Sequence, residues 1–255
     1  MPEPSWEYIL KSQQEDFLER LESSLEVSSY CDTSVHLARL DHCFPLGASS
    51  PCEIINISFE HDEEYEIDKF CGEITCKFSC NPDYFDYDVF ISNKLGKIGE
   101  EAVKRYLGNW INNVDYELYK GGDGGVDFIL RENNKIKIQV KTRAAFRLTC
   151  EYLERTENID ITDLCFHFFI NAYDYVKDAK WQVDNKAITE NNLTIFVLVM
   201  NEVIGGELNE NLYKCLIAGF LPSRKLSQTR KYSITELLYS GGIRGYLKHL
   251  TSTHH

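Results

Sequence analysis

The sequence predicts an α/β protein, because strand-like alternation and helix-like stripes follow one another along its 255 residues. Three observations carry this. KIKIQVKT (135–142) alternates apolar and polar residues in the period-two pattern of a half-buried strand. LTIFVLVM (193–200) is a continuous apolar run, the mark of a strand buried on both faces. The stretch from Ser92 to Leu107 carries an apolar stripe at helical spacing and stops at Gly108.

Taken in order, Ser12 with Glu15 forms a capping box, and Phe17, Leu18, Leu21 and Leu25 make a helical stripe to about Ser28. After a Pro- and Gly-marked turn between Pro45 and Pro51, CEIINISF and EITCKFSC read as strands on either side of the acidic HDEEYEIDKF. The expected organisation is an acidic α+β module over residues 1–90 and a second domain over 91–255, with DYFDYDVF connecting them. In the second domain Ser92 is the expected N-cap of the helix. Glu100, Val103 and Leu107 share its core-facing stripe, and Glu101 is rotated away.

Val126, Phe128 and Leu130 then alternate as a strand, followed by the strand that carries Gln139 and Lys141. A three-residue turn through Asn133, Asn134 and Lys135 pairs Asp127 with Lys141, Phe128 with Val140 and Ile129 with Gln139. CFHFFINAY and LYKCLIAGFLP read as further strands, and KYSITELLYSGGIRGYLKHL as a closing helical segment broken at Gly241 and Gly242.

The chemistry lies between Gly99 and Lys141. A carboxylate on a helix (Glu100), an aspartate opening one strand (Asp127) and a polar-x-lysine on the next (Gln139, Lys141) suit one divalent cation and one water. That combination points to phosphodiester hydrolysis. Mg²⁺ prefers near-octahedral oxygen ligation and keeps several waters, so Asp127, the Val140 carbonyl, Glu100 and the Gln139 amide oxygen suffice as protein ligands. Lys141 orients or stabilises the attacking hydroxide. Gly121, Gly122, Gly124 and Gly125 allow close backbone approach to a phosphate chain. As an ordinary hairpin with a surface lysine, the stretch would need three separate elements to agree by accident.

The Gly-Glu pair in GEEAVKRYL, followed by GDGGVDF and IQVK, resembles the PD-(D/E)XK nuclease superfamily, in particular its Mrr-like restriction-endonuclease branch with Gln in the last motif. The resemblance implies a restriction-endonuclease-like core, α-β-β-β-α-β, with a mixed sheet flanked by helices. It makes Asp127 the metal-binding aspartate and Lys141 the catalytic lysine. Gln139 stands where the family usually has Glu or Asp, and Glu100 is the helical glutamate facing the metal. No Pro precedes Asp127, and the neutral Gln139 leaves one fewer negative charge on the cation. The implied activity is that of a Mg²⁺-dependent endodeoxyribonuclease, with Mn²⁺ as substitute, in a prokaryotic defence or restriction setting. The alternatives are an RNA-directed or general nuclease effector under a partner's control, and a non-catalytic nucleic-acid or protein-binding relic of the fold.

Charge bounds the partners. Residues 1–95 hold 6 Lys and Arg against 20 Asp and Glu, and residues 96–255 hold 21 against 20, so the net −13 belongs to the N-terminal third. Nucleic acid is expected to meet the basic set beside the site, Lys135, Lys137, Arg143 and Arg147, with a second set at Arg224, Lys225, Arg230 and Lys231. The acidic module has three open roles: an extension of the nuclease fold, a dock for a partner, or a self-mask for the basic face. Oligomerisation is open. Among nine cysteines no C-x-x-C pair occurs; Cys71, Cys76 and Cys80 lie close, with Cys76 and Cys80 on one face of the expected strand, as buried apolar residues would be. The longest apolar run is too short to span a bilayer and the first residues lack the features of a signal peptide, so a soluble, cytoplasmic protein is expected.

Overall fold

The computed structural model describes residues 5–26, 54–78, 87–114, 125–144, 179–204, 207–228 and 230–253. Helices α1 (Trp6–Glu26), α2 (His61–Phe78), α3 (Tyr87–Leu107), α4 (Asn185–Glu190) and α5 (Ile243–Thr253) accompany strands β1 (Ile54–Ser58), β2 (Ile111–Asn113), β3 (Phe128–Leu130), β4 (Lys137–Ala144), β5 (Lys180–Gln182), β6 (Leu193–Ile204), β7 (Glu207–Pro222) and β8 (Lys231–Ser233). A six-stranded sheet runs β1-β7-β6-β4-β3-β2, and β5 pairs with β8 in a second, two-stranded sheet. β4 and β6 are parallel and the other pairs of the large sheet antiparallel, so the sheet is mixed, as the resemblance implies. From α3 onward the described elements run α3-β2-β3-β4-β5-α4-β6, which differs from the implied order by β5, a strand of the small sheet.

The centre of the sheet is dry. Leu193, Ile195, Phe196, Val197 and Leu198 of β6 are all buried, because β4 and β7 cover both edges and side chains cover both faces. The expected strands at 193–200 and 212–222 lie within β6 and β7. The strand expected at CFHFFINAY lies outside the described residues. Along β4 the two faces diverge. Thr142 meets α3 at Gly99, while its neighbour Lys141 pairs with Asp184. Successive strand side chains point to opposite faces, so α3 and the 179–184 segment cover opposite sides of β4.

What is described of the first ninety residues is built into this sheet and its core. β1 is the outer strand, paired with β7 from Ile54 opposite Leu216 to Ser58 opposite Leu212. Phe17 and Leu18 of α1 are buried in the same cluster as β6 and β7. Gln14, also buried, donates from Nε2 to the Ala218 carbonyl at 2.9 Å and the Ile234 carbonyl at 3.0 Å. Ala218 is the extra residue of a β-bulge, since Gly219 opposes Phe196 and Ile217 opposes Val197. Its carbonyl leaves the ladder and a helix side chain takes it.

Several expectations are corrected. EITCKFSC is not a strand through Phe78 but the last turns of α2, which begins in the acidic stretch read as a connector. The Glu63 carboxylate accepts from the Glu60 N–H at 3.1 Å, acidic residues fill the first turn, and the buried Cys71 and Thr75 stand four apart, so helical period prevails over the local alternation. Cys71 is buried and Cys76 exposed, and Cys80 lies outside the described residues. α1 starts six residues ahead of its expected cap: the Ser5 hydroxyl accepts from the Tyr8 N–H, and Ser12 and Glu15 sit inside the helix. α3 likewise begins at Tyr87, so Ser92 is internal and the end of DYFDYDVF is helical rather than connecting. The expected stop holds: Gly108 has φ 55, and a 3-10 turn leads into β2. The closing segment is a strand and 3-10 turns before it becomes α5, which starts directly after Gly242.

Gln14→Met should lower stability by about 1–3 kcal/mol by leaving buried carbonyls dry. Urea unfolding should show this as a lower midpoint of one shared transition. A separate early transition for α1 would contradict the common core.

Candidate active site

The hairpin that carries the site is set by two apolar residues. The Leu130 N–H donates to the Ile136 carbonyl at 2.9 Å, Phe128 stands opposite Ile138 and Ile129 opposite Lys137. The register therefore lies two residues from the expected one, which would have set Ile136 against Glu132. Burying Ile136 beside Leu130 and leaving Arg131 and Glu132 in the exposed loop is the better solution. Asn133 forms the turn, its Oδ1 accepting from the Lys135 N–H at 3.1 Å. The shift is even, so each residue keeps its face.

Asp127 precedes the regular ladder and is held by backbone on both sides. Its N–H donates to the Ile138 carbonyl at 3.0 Å, and its Oδ2 accepts from the Val140 N–H at 2.6 Å. The residues before it are tied to the turn ahead of β6. Asn191 Nδ2 donates to the Gly125 carbonyl at 2.5 Å, while Asn192 accepts from the Lys137 N–H and donates to the Lys137 carbonyl, both at 2.8 Å.

Glu100 arrives from α3. Ile98, Ala102 and Val103 bury the helix against the sheet, and Gly99 rests directly on Thr142. A Cβ on Gly99 would overlap the Thr142 hydroxyl and lie 2.9 Å from Thr142 Cβ. Glu100 Oε2 pairs with Lys97 Nζ at 2.6 Å, and that ammonium also lies 4.8 Å from the centre of the Phe70 ring.

These charges act on Asp127. Burial first, and the neighbouring Glu100 second, push its carboxyl up to about 7, against the opposing pull of the Val140 N–H, Lys97 and Lys141. Gln139, on β4, is buried, and its Oε1 has no hydrogen-bond partner among the described residues. The Asp127 and Glu100 carboxylates and the Gln139 amide oxygen are the oxygen donors here that could serve a hard cation such as Mg²⁺. Among the described residues no three His, Cys, Asp or Glu side chains converge.

Lys141 is paired with Asp184 Oδ2 at 2.7 Å. Sequence reasoning missed Asp184, which stands 43 residues away and has no local signature. It also missed Lys97, although the i, i+3 spacing to Glu100 was a readable sign. Of the basic set beside the site, Lys135 is exposed on the hairpin turn, Lys137 is half-buried and Arg143 donates to the Lys180 carbonyl; Arg147 lies outside the described residues, as do Gly121, Gly122 and Gly124. In the second set Arg224 and Lys225 both pair with Glu7 of α1, at 2.7 and 2.5 Å, and Arg230 pairs with Glu236.

Gly99→Ala should separate α3 from β4 and cost roughly 1–3 kcal/mol, an overpacking effect. Thr142→Ala in the same chain should recover part of the denaturation midpoint. The Asp127 shift gives a second expectation, with a definite sign. A carboxyl whose folded pKa lies above its ordinary 3.8 contributes stability that is fully present below that value and lost as pH rises through about 7. In chelator, Asp127→Asn should therefore gain on the wild type steadily between about pH 4 and 8, and a pH-independent difference in urea midpoints would contradict the assignment.

Comparison with known proteins gives a partial similarity. Over 97 residues, 38% of this chain, it is 26% identical to UPF0102 proteins from strains J-10-fl and Y-400-fl of Chloroflexus aurantiacus, covering 79% of each. No family model and no solved structure matches the chain.

Proposed function

We propose that the protein is a Mg²⁺-dependent endonuclease that hydrolyses phosphodiester bonds in DNA, with Mn²⁺ as a substitute. What supports the reading is the meeting of charges at Asp127. Glu100 from α3 and Lys141 from β4, elements far apart in sequence, both act on a carboxylate at the start of β3, within a mixed sheet of nuclease-like order. The chain's resemblance to Mrr-like nucleases supports it further, and the prokaryotic defence setting rests on that resemblance alone.

Asp127, Glu100 and Gln139 would hold the cation, with the Val140 carbonyl as a fourth oxygen. Bound there, Mg²⁺ supplies Lewis acidity at the scissile phosphate and the attacking water. The Val140 N–H fixes one Asp127 oxygen, Oδ2. Lys141 lends its ammonium to the attacking oxygen and to the charge developing on the phosphate, a contribution made mainly in the transition state. Lys135, Lys137 and Arg143 are the phosphate contacts on the flank, whereas Arg224 and Lys225, though exposed, are each paired with Glu7 of α1.

Cleavage assays with Mg²⁺, Mn²⁺ or chelator on duplex DNA, single-stranded DNA and RNA test the reading. Cleavage of RNA alone would favour an RNA-directed effector. Metal-independent binding without cleavage would favour a binding relic. Lys141→Ala should keep the fold and most DNA affinity but slow single-turnover cleavage by about 100-fold or more. Lys141→Arg should not restore it, since a planar guanidinium cannot take the same point. Asp127→Asn should abolish cleavage and the rise in unfolding midpoint that Mg²⁺ gives the wild type. Near wild-type cleavage by folded Lys141→Ala would sink the mechanism.

A further inference from the structure

The partner of Lys141 belongs to a stiff segment. Ala179, Trp181 and Val183 alternate as buried residues, with Lys180 and Gln182 exposed between them. Trp181 stands opposite Tyr232 of β8, donates from its indole N–H to the Val197 carbonyl at 3.2 Å, and sets its ring edge-on to Phe196 at 5.7 Å. Arg143, two residues beyond Lys141 on the same face of β4, donates to the Lys180 carbonyl. Asp184 follows the fully buried Val183 and immediately precedes α4, so its backbone is fixed from both directions.

The lysine is the mobile member of the pair. A four-carbon stem with freely rotating bonds gives an ammonium many positions, and holding it in one costs side-chain entropy. Asp184 has a short side chain on anchored backbone and accepts from Lys141 Nζ at 2.7 Å. The lysine side chain is 23% exposed and the aspartate 44%, so the ammonium is the inner partner and the carboxylate lies toward solvent. A charge-assisted hydrogen bond to a fixed anion narrows where that ammonium can sit.

We infer that Asp184 is a positioning residue for Lys141: it holds the ammonium where the nuclease reading above requires it, without itself touching the substrate. A misplacement of about 1 Å in such a group costs on the order of 100-fold in rate. A carboxylate that merely occupied a phosphate position on the lysine would have the opposite signature, tighter DNA binding on its removal with the rate intact.

The test is Asp184→Asn in the full chain, which keeps the shape and removes the anion, with thermal unfolding as the fold control. Single-turnover cleavage at saturating protein should fall about 10- to 100-fold, while DNA affinity stays within about three-fold. In a Lys141→Ala background the same substitution should change neither. Nitrogen-15 spectra of lysine ammonium groups give a readout independent of activity. A Lys141 signal, assigned by its loss in Lys141→Ala, should be present in the wild type and lost to solvent exchange in Asp184→Asn. A wild-type rate for Asp184→Asn, tighter DNA binding at unchanged rate, or an ammonium signal that is missing in the wild type or unaltered in the variant would each overturn the inference. Failure of the wild type to cleave any substrate would instead remove the nuclease reading, and the spectra would still decide whether Asp184 orders Lys141.

Discussion

The arrangement depends on how closely α3 can approach β4. Gly99 is the contact point, resting on Thr142 where any side chain would collide. The next residue is Glu100, so the same contact that seats the helix carries a carboxylate to the start of β3. Ile98, Ala102 and Val103 supply the burial that makes the approach favourable. A wider spacing would keep the hydrophobic layer in weaker form and lose the electrostatic encounter with Asp127, because a charge interaction at such a site falls off with every ångström.

That encounter is a local conflict. Asp127 is pulled down by the Val140 N–H and two lysines, yet burial and Glu100 prevail and its carboxyl sits near 7. Around it Glu100 is joined to Lys97 and Lys141 to Asp184, so each of the two lysines is drawn to a carboxylate other than Asp127. Two ion pairs flanking a carboxyl held near 7 are a local departure from the full charge pairing that stability alone favours. The departure is local, because the acidic surplus of the whole chain resides in the N-terminal third.

What the sequence disclosed follows the range of the interactions involved. The strand at 193–200 was legible because burial on both faces leaves an apolar run broken only by the buried Thr194. The Gly108 stop was legible because one residue type best suits a positive φ. The start of α3 was not: Ser92 has the chemistry of a cap, but packing extends the helix a turn and a half earlier, and tertiary contact outweighs a cap's contribution of about 1 kcal/mol. EITCKFSC misled for the same reason, its two-residue alternation being too short to outweigh the helix already running from His61. Within the site, parity survived while register did not, since parity follows from which face is apolar and register from the choice of loop. Asp184 and Gln14 were beyond reach altogether. Their partners are a lysine on another strand and a carbonyl freed by a bulge, neither of which leaves a trace nearby in sequence.

Gln139 brings these strands together. It is buried on β4, opposite Thr194 of β6, with an amide oxygen that no described group satisfies. An ionised carboxylate at that position would add a third negative charge to a site where Asp127 and Glu100 already oppose each other. There it would either take up a proton or weaken the fold. The neutral amide avoids that cost, so the like charge the hairpin has to carry is set by how close Glu100 comes to Asp127, and thus by the Gly99 contact that delivers it.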